Sequence, residues 1–146
     1  MAKRLSITIG GIPFAAELLE EEAPETCRAF LRALPIRGRV IQARWSGEAA
    51  WLPMDEWGID VPPENHTSHP SRGDLLYYPG GISEKEMLIP YGSAFFGSKV
   101  GQLRGEPLRH HRRRSRRAPG DGGQGPLRGG PGDSNRGGLR EWKRRR

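Results

Sequence analysis

Hydrophobic and polar residues alternate from the start of the chain. Leu5, Ile7 and Ile9 alternate with Ser6 and Thr8 before Gly10-Gly11, and Ile12, Phe14 and Ala16 then alternate with Pro13, Ala15 and Glu17. A period of two on either side of a glycine pair predicts two strands joined by a tight turn. The period then changes: Cys27, Phe30, Leu31 and Leu34 have the i, i+3, i+4, i+7 spacing of a helix face, with Arg28 and Arg32 on the other side. Pro24 stands near the first turn, Glu25 lies within it and Glu20-Glu21-Glu22 lie just upstream, all favourable at the positive end of a helix dipole. Pro35 stops the helix, and its apolar face is expected to pack on a sheet.

After Gly38, residues 40–45 read as a strand that turns at Ser46-Gly47-Glu48 into a short strand around Ala50-Trp51-Leu52, ended by Pro53. From Asp55 to Arg72 the chain is rich in Pro, Asn, Ser and His. A loop of about eighteen residues inside a compact domain is usually functional or disordered, so a site is expected there. Leu75-Leu76-Tyr77-Tyr78, closed by Pro79-Gly80-Gly81, then Met87 to Tyr91, Ala94-Phe95-Phe96 and the stretch from Ser98 to Leu103 supply further strands. About eight short strands with one amphipathic helix predict a mainly β fold, a small closed or nearly closed barrel.

Composition divides the chain in two. Its 146 residues, 34% of them apolar, suffice for one domain with a single modest core. Residues 1–105 carry 11 Lys and Arg against 13 Asp and Glu, a net of −2, whereas residues 106–146 carry 13 against 4, a net of +9; together they make the +7 of the whole. The second segment holds twelve arginines and nine glycines with one aromatic, Trp142. Such a composition predicts disorder, so residues 1–105 are expected to be the folded domain and 106–146 a basic tail. No apolar run approaches the length that spans a bilayer and no signal-peptide core is present, which predicts a soluble cytoplasmic protein with no membrane partner. Oligomeric state is left open. The single Cys27 has no intrachain partner, which removes a disulfide framework and a cysteine-based zinc site, and it reads as a small apolar side chain on the helix.

Several motifs in one order carry a resemblance. Ala-Pro-Glu-Thr-Cys-Arg-Ala-Phe at 23–30, Ala-Arg-Trp-Ser-Gly-Glu-Ala at 43–49, Glu-Asn at 64–65, Gly-Asp-Leu-Leu-Tyr-Tyr-Pro-Gly-Gly at 73–81 and Tyr-Gly at 91–92 resemble an uncharacterised bacterial and archaeal family of cyclophilin-like fold. The resemblance implies a closed β-barrel with one helix covering an end, and no activity, because that family has no established reaction. Peptidyl-prolyl isomerases of the same fold carry an arginine on a barrel strand, an aromatic wall and a Gly-Gly-Asp turn. Arg39-Val40-Ile41-Gln42 is faintly similar, but the wall and the turn are absent at that spacing, so isomerase activity stands only as an alternative.

In that family the chain continues past the position of Gly105 into a strand, a helix and a closing strand. Read one nucleotide later, the codons of His110, His111, Asp133 and Asn135 must encode isoleucine or threonine, which is strand composition. Together with twenty arginines against four lysines, this makes a reading-frame shift near Gly105 the expected origin of the basic tail. The competing expectation is nucleic-acid binding through Arg112-Arg113-Arg114-Ser115-Arg116-Arg117, non-specific and driven by phosphate neutralisation.

Candidate chemistry is sparse. His66 and His69 lie three apart beside Glu64, but without a third ligand they read as a solvated loop and not a metal site. Ser46 and Ser83 have no nucleophile context, and phosphate loops and dinucleotide fingerprints are absent, so no cofactor is expected. The most plausible site is a pocket at one barrel end lined by Arg44, Trp45, Glu64, Asn65, Tyr77 and Tyr78. There an arginine would hold the carboxylate of a small metabolite in a forked pair, aromatic faces would bury its apolar body and Asn65 would orient it. The bland alternative places Trp45 and one tyrosine in the core and pairs Arg44 with Glu48 at the surface.

Overall fold

The computed structural model describes residues 3–109 and, for the backbone, residues 140–144. Strands β1 (Arg4–Ile9) and β2 (Ile12–Glu17) form the expected hairpin, paired from Arg4↔Glu17 to Ile9↔Ile12. Gly10 and Gly11 both have positive φ, 60° and 81°, a turn that side chains with a Cβ resist. Helix α1 spans Pro24–Ala33 and buries Cys27 and Phe30. The short strands β3 (Ile36–Gly38) and β4 (Ile41–Gln42) follow, then β5 (Gly47–Pro53) and a single 3₁₀ turn at Asp55–Trp57. Beyond the long loop come β6 (Leu75–Tyr78), β7 (Glu86–Ala94), the two-residue strands β8 (Gly97–Ser98) and β9 (Gly101–Gln102), β10 (Glu106–Arg109) and β11 (Arg140–Arg144).

These strands make a four-stranded sheet in the order β2-β1-β11-β3, a five-stranded sheet in the order β10-β6-β7-β5-β4, and the small β8-β9 hairpin. Every pairing is antiparallel. The main core lies between the two large sheets and under α1, where Leu5, Ile7, Phe30, Ile36, Leu52, Tyr77, Met87 and Leu108 are all buried. Phe30 meets Tyr77 edge-on, with ring centroids 4.9 Å apart.

The closed barrel is not formed: among the described residues no strand ladder joins the two large sheets. On one side the chain turns away from β2 toward α1, leaving a backbone hydrogen bond from Leu19 N to Leu108 O (3.0 Å) across the gap. On the other, it crosses from β3 to β4 through Arg39 and Val40, without a ladder between the two. The expected strand at 40–45 shrinks to Ile41–Gln42, the strand expected at 87–91 runs on as β7 to Ala94, and Phe95-Phe96, expected in a strand of their own, lie beyond its end.

The boundary at Gly105 also moves. Glu106–Arg109 is a strand paired with β6, and Leu108 is fully buried in the main core. Gly105 itself is packed so tightly that an added Cβ would lie 2.7 Å from Phe96 Cε1 and 3.0 Å from Leu76 Cβ. Both sides of Gly105 therefore belong to one fold. At the far end, Arg140–Arg144 pairs with β1 (Ile7↔Trp142) and with β3 (Trp142↔Ile36), so this part of the expected tail supplies a strand. The expectation of disorder for 110–139 lies outside the described residues.

Helix α1 lacks a cap of its own, since Ala23 at its N-terminus offers no side-chain acceptor. The long loop supplies one from a distance. Glu64 accepts hydrogen bonds from the amides of Glu25 (2.8 Å) and Thr26 (2.9 Å) and from Thr26 Oγ1 (2.7 Å). Burial works to raise the Glu64 carboxyl, but the bonds from Thr26 and Glu25 outweigh it and hold the group below the ordinary carboxylate range.

Two outcomes follow. Glu64→Ala is expected to lower stability by about 1–2 kcal/mol at neutral pH. Because the folded-state pKa is depressed, the contribution is present above the ordinary carboxylate range and fades as pH falls through the folded value; equal melting of the two proteins at neutral pH would overturn the capping role. A chain ending at Leu139 leaves β1 and β3 without the strand between them, and faster amide exchange along both is expected. Unchanged exchange there would count against the pairing.

Candidate functional site

Strand register sorts the five-stranded sheet into two faces, because residues directly opposite in an antiparallel pair project to the same side. Leu52↔Met87↔Tyr77 form a row on the inner face, in the main core. The adjacent row, Ile41↔Trp51↔Leu88↔Leu76, faces outward, as does the row Pro53↔Glu86↔Tyr78. A second apolar cluster, containing Leu76, Tyr78, Leu88, Phe96 and Leu103, covers part of that outer face. Segment 94–105, with its β8-β9 hairpin, provides the cover. Ser46 fastens it, donating from Oγ to Gly97 O (3.0 Å) and accepting from Gly97 N (3.2 Å).

Where the cover ends, a cavity of about 320 Å³ remains. Its sides are residues 41–46 and 83–84, its floor is Trp51, Leu88 and Glu86, and Gly97, Ser98 and Lys99 close over it. Arg44 and Trp45 both line it, as the sequence suggested. Trp45 is 60% exposed, so it is not a core residue. Arg44 makes no ion pair with a described residue; the surface pairing with Glu48 does not form, and Glu48 Oε2 accepts from Ser93 N (2.7 Å).

The other four expected site residues are elsewhere. Glu64 caps α1. Asn65 donates its backbone amide to Glu106 Oε2 (2.7 Å), which ties the long loop to β10. Tyr77 is in the main core, its hydroxyl donating to Ile59 O (2.6 Å), and burial pushes its phenol up. Tyr78 stands on the outer face but is engaged in structure, accepting from Ile82 N (3.1 Å) and meeting Phe96 edge-on. The histidines separate: His66 Nδ1 lies 3.6 Å from Glu106 Oε1, and the His69 ring sits tilted against Phe95 with centroids 5.5 Å apart. Among the described residues no cluster of three or more His, Cys, Asp or Glu could hold a metal ion. Cys27 is buried, and burial, then Glu20 and Glu64, push its thiol to about 12, which keeps it un-ionised and unreactive. Among the described residues no helix is long and apolar enough to cross a membrane.

Glu86 is the functional candidate that periodicity missed. It opens β7, is 9% exposed, and lines the cavity with a carboxyl that makes no hydrogen bond or ion pair to any described residue. Burial, then the neighbouring Glu84, push its carboxyl up to about 7. The signal was present in the sequence as an acid two positions before Leu88, hence on the same face of a strand whose other outward residues are apolar. A second cavity, about 410 Å³, opens between the two large sheets, where apolar residues such as Ile7, Phe14, Val40 and Ile89 are joined by Arg72, Asp74, Tyr91 and Arg109. It contains none of the six expected site residues, and its one acid, Asp74, accepts from Ser71 N (2.7 Å).

Residues 5–110 match a family model described as a protein of unknown function (DUF3830). The chain belongs to this family. The DUF3830 match runs through β10, in agreement with the continuous packing across Gly105. The fold is similar to the solution structure of a hypothetical protein from Archaeoglobus fulgidus, at 24% identity over 74% of this chain and 79% of that one, with a TM-score of 0.53. At that identity the likeness concerns the fold alone. No curated protein matches this DUF3830 chain.

The titration of Glu86 gives a measurable signature. Its folded pKa is raised, so the folded state holds a proton that the unfolded state has already lost between the ordinary carboxylate value and about 7. Stability should therefore decline by on the order of 2–3 kcal/mol as pH rises from about 5 to 8. Chemical denaturation of Glu86→Gln should lack that decline. A variant that keeps the full wild-type pH profile would show that another group is responsible.

Proposed function

We propose that the outer cavity binds a small carboxylate-bearing metabolite, with Arg44 receiving the carboxylate in a forked pair and Trp45 covering the apolar body. One observation carries the proposal: two cationic side chains, Arg44 and Lys99, line a cavity floored by Trp51 and Leu88, and neither is engaged by a described acid. A guanidinium with free donors beside an exposed indole suits a planar anion on an apolar stem. The cavity lies in the lower part of the size range usual for small-ligand sites. Nothing in the arrangement requires a bond to be broken, so a binding module is sufficient, and an enzyme would need a reacting partner for Glu86.

The alternatives find less support. Arg39, on which an isomerase would depend, is exposed on the β3–β4 connection and lines neither cavity. Nucleic-acid binding rests on residues 112–117, outside the described residues.

Hexanoate and 3-phenylpropionate are the probes of choice, read by the quenching of tryptophan fluorescence and by the rise in melting temperature. Binding to the wild type is expected, with affinity lowered about tenfold or more in Arg44→Ala. Equal affinity in that variant, or no binding of either acid, would reject the proposal.

A further inference from the structure

The cavity is polarised along the strand direction. Strands β4 and β5 run antiparallel through Ile41↔Trp51 and Gln42↔Ala50, and Ala43 N continues the pattern to Ala49 O (2.9 Å). Arg44 therefore leaves β4 beside the Glu48 end of β5. Glu86 pairs with Pro53 at the opposite end of the same strand. Five residue positions, about 16 Å of extended backbone, separate the two levels. Between them the floor is Trp51 and Leu88, which offer only apolar surface and one indole N–H. Lys99 lies in the β8-β9 turn, while Glu84 stands on the Glu86 side, in the loop that leads into β7.

From this geometry we infer that the cavity's ligand carries a cationic amine at the end remote from its carboxylate, as an ω-amino acid does. The inference rests on the proposal that Arg44 receives the carboxylate, and adds the identity of the other end. Glu86 is only 9% exposed and its carboxyl opens on the cavity without a protein donor, so an ammonium donating to it there satisfies both groups at once. The described lining contains nothing that does so already. Pro53 and Tyr78 flank Glu86 on the neighbouring strands, and Tyr78's hydroxyl is taken by Ile82 N. Glu84 repels it, and Lys85, one position before, is paired with Asp60. An α-amino acid cannot bridge the two poles, because its charges sit on one carbon; several methylenes lying over Trp51 and Leu88 can.

Proton exchange should report the contact. Glu86 is partly protonated near neutrality, whereas an aliphatic ammonium keeps its charge there, so engagement of the amine expels the Glu86 proton into solution. An unsubstituted acid held by Arg44 has no such effect.

Calorimetric titration of the full chain with ω-amino acids from 4-aminobutyrate to 8-aminooctanoate, the unsubstituted acids of equal length, and norleucine tests this directly. The best ω-amino acid should bind about tenfold tighter than its unsubstituted counterpart and than norleucine. Its binding should release a proton in buffers of different ionisation enthalpy and should weaken as pH drops below about 7 in the wild type alone. Glu86→Gln should erase the advantage and the proton release. If the unsubstituted acids bind and no ω-amino acid binds tighter, this inference is overturned and the carboxylate proposal survives. If nothing binds, both fall. The wild-type pH and proton measurements decide the matter even if the variant does not fold.

Discussion

The ladder of β5, β7 and β6 is apolar on both faces, and the rest of the molecule is arranged around the need to keep both dry. An antiparallel sheet commonly shows one face to water, but here Leu52, Met87 and Tyr77 project one way and Leu88 and Leu76 the other. Two covers are required. The inner one is the four-stranded sheet with α1 above it; the outer one is the 94–105 segment, whose β8-β9 hairpin is too short to reach the β4 edge. The cavity is the remainder. Glu86, at the end of an outward row, is desolvated because it shares that face with residues that must be covered.

The long loop from Asp55 to Arg72 shows how irregular backbone is held in place without regular structure. Thr67 and Gly105 exchange both backbone hydrogen bonds at 2.9 Å, Ser68 Oγ donates to Leu103 O (2.6 Å), and Phe96 N donates to Ser68 O (2.8 Å). Glu64 grips the start of α1 and Asn65 joins β10 through Glu106. A stretch whose length and polarity suggested a binding loop is thus a clasp between helix, sheet and outer cover. Its polar side chains satisfy backbone groups, which is why its histidines gather no ligand set.

Sequence periodicity read the local elements where one face was wet and misread them where neither was. The first hairpin and α1 alternate cleanly and form as expected. In β7, Met87 and Leu88 are both buried, so alternation gives no sign of the strand's start, and Glu86 was left outside it. The closed barrel was an extrapolation from strand number, which carries no information on whether edges meet. Charge counting placed a boundary at Gly105 because arginine dominates beyond it, yet Glu106, Pro107 and Leu108 are buried; the shift in composition begins a few residues after the packing requires. Of the six residues expected at a site, Arg44 and Trp45 share a cavity. The other four could not be distinguished from structural residues without knowing which groups lack partners.

Alternation along β7 has one more consequence. Met87 and Ile89 serve the interior while Glu86 and Leu88 face the outer recess, so adjacent positions of β7 answer to different packing demands. Substitution at position 86, or at Trp51 and Lys99, therefore reshapes the recess while the inward-facing set keeps the scaffold intact. A shared scaffold therefore does not fix the character of the recess.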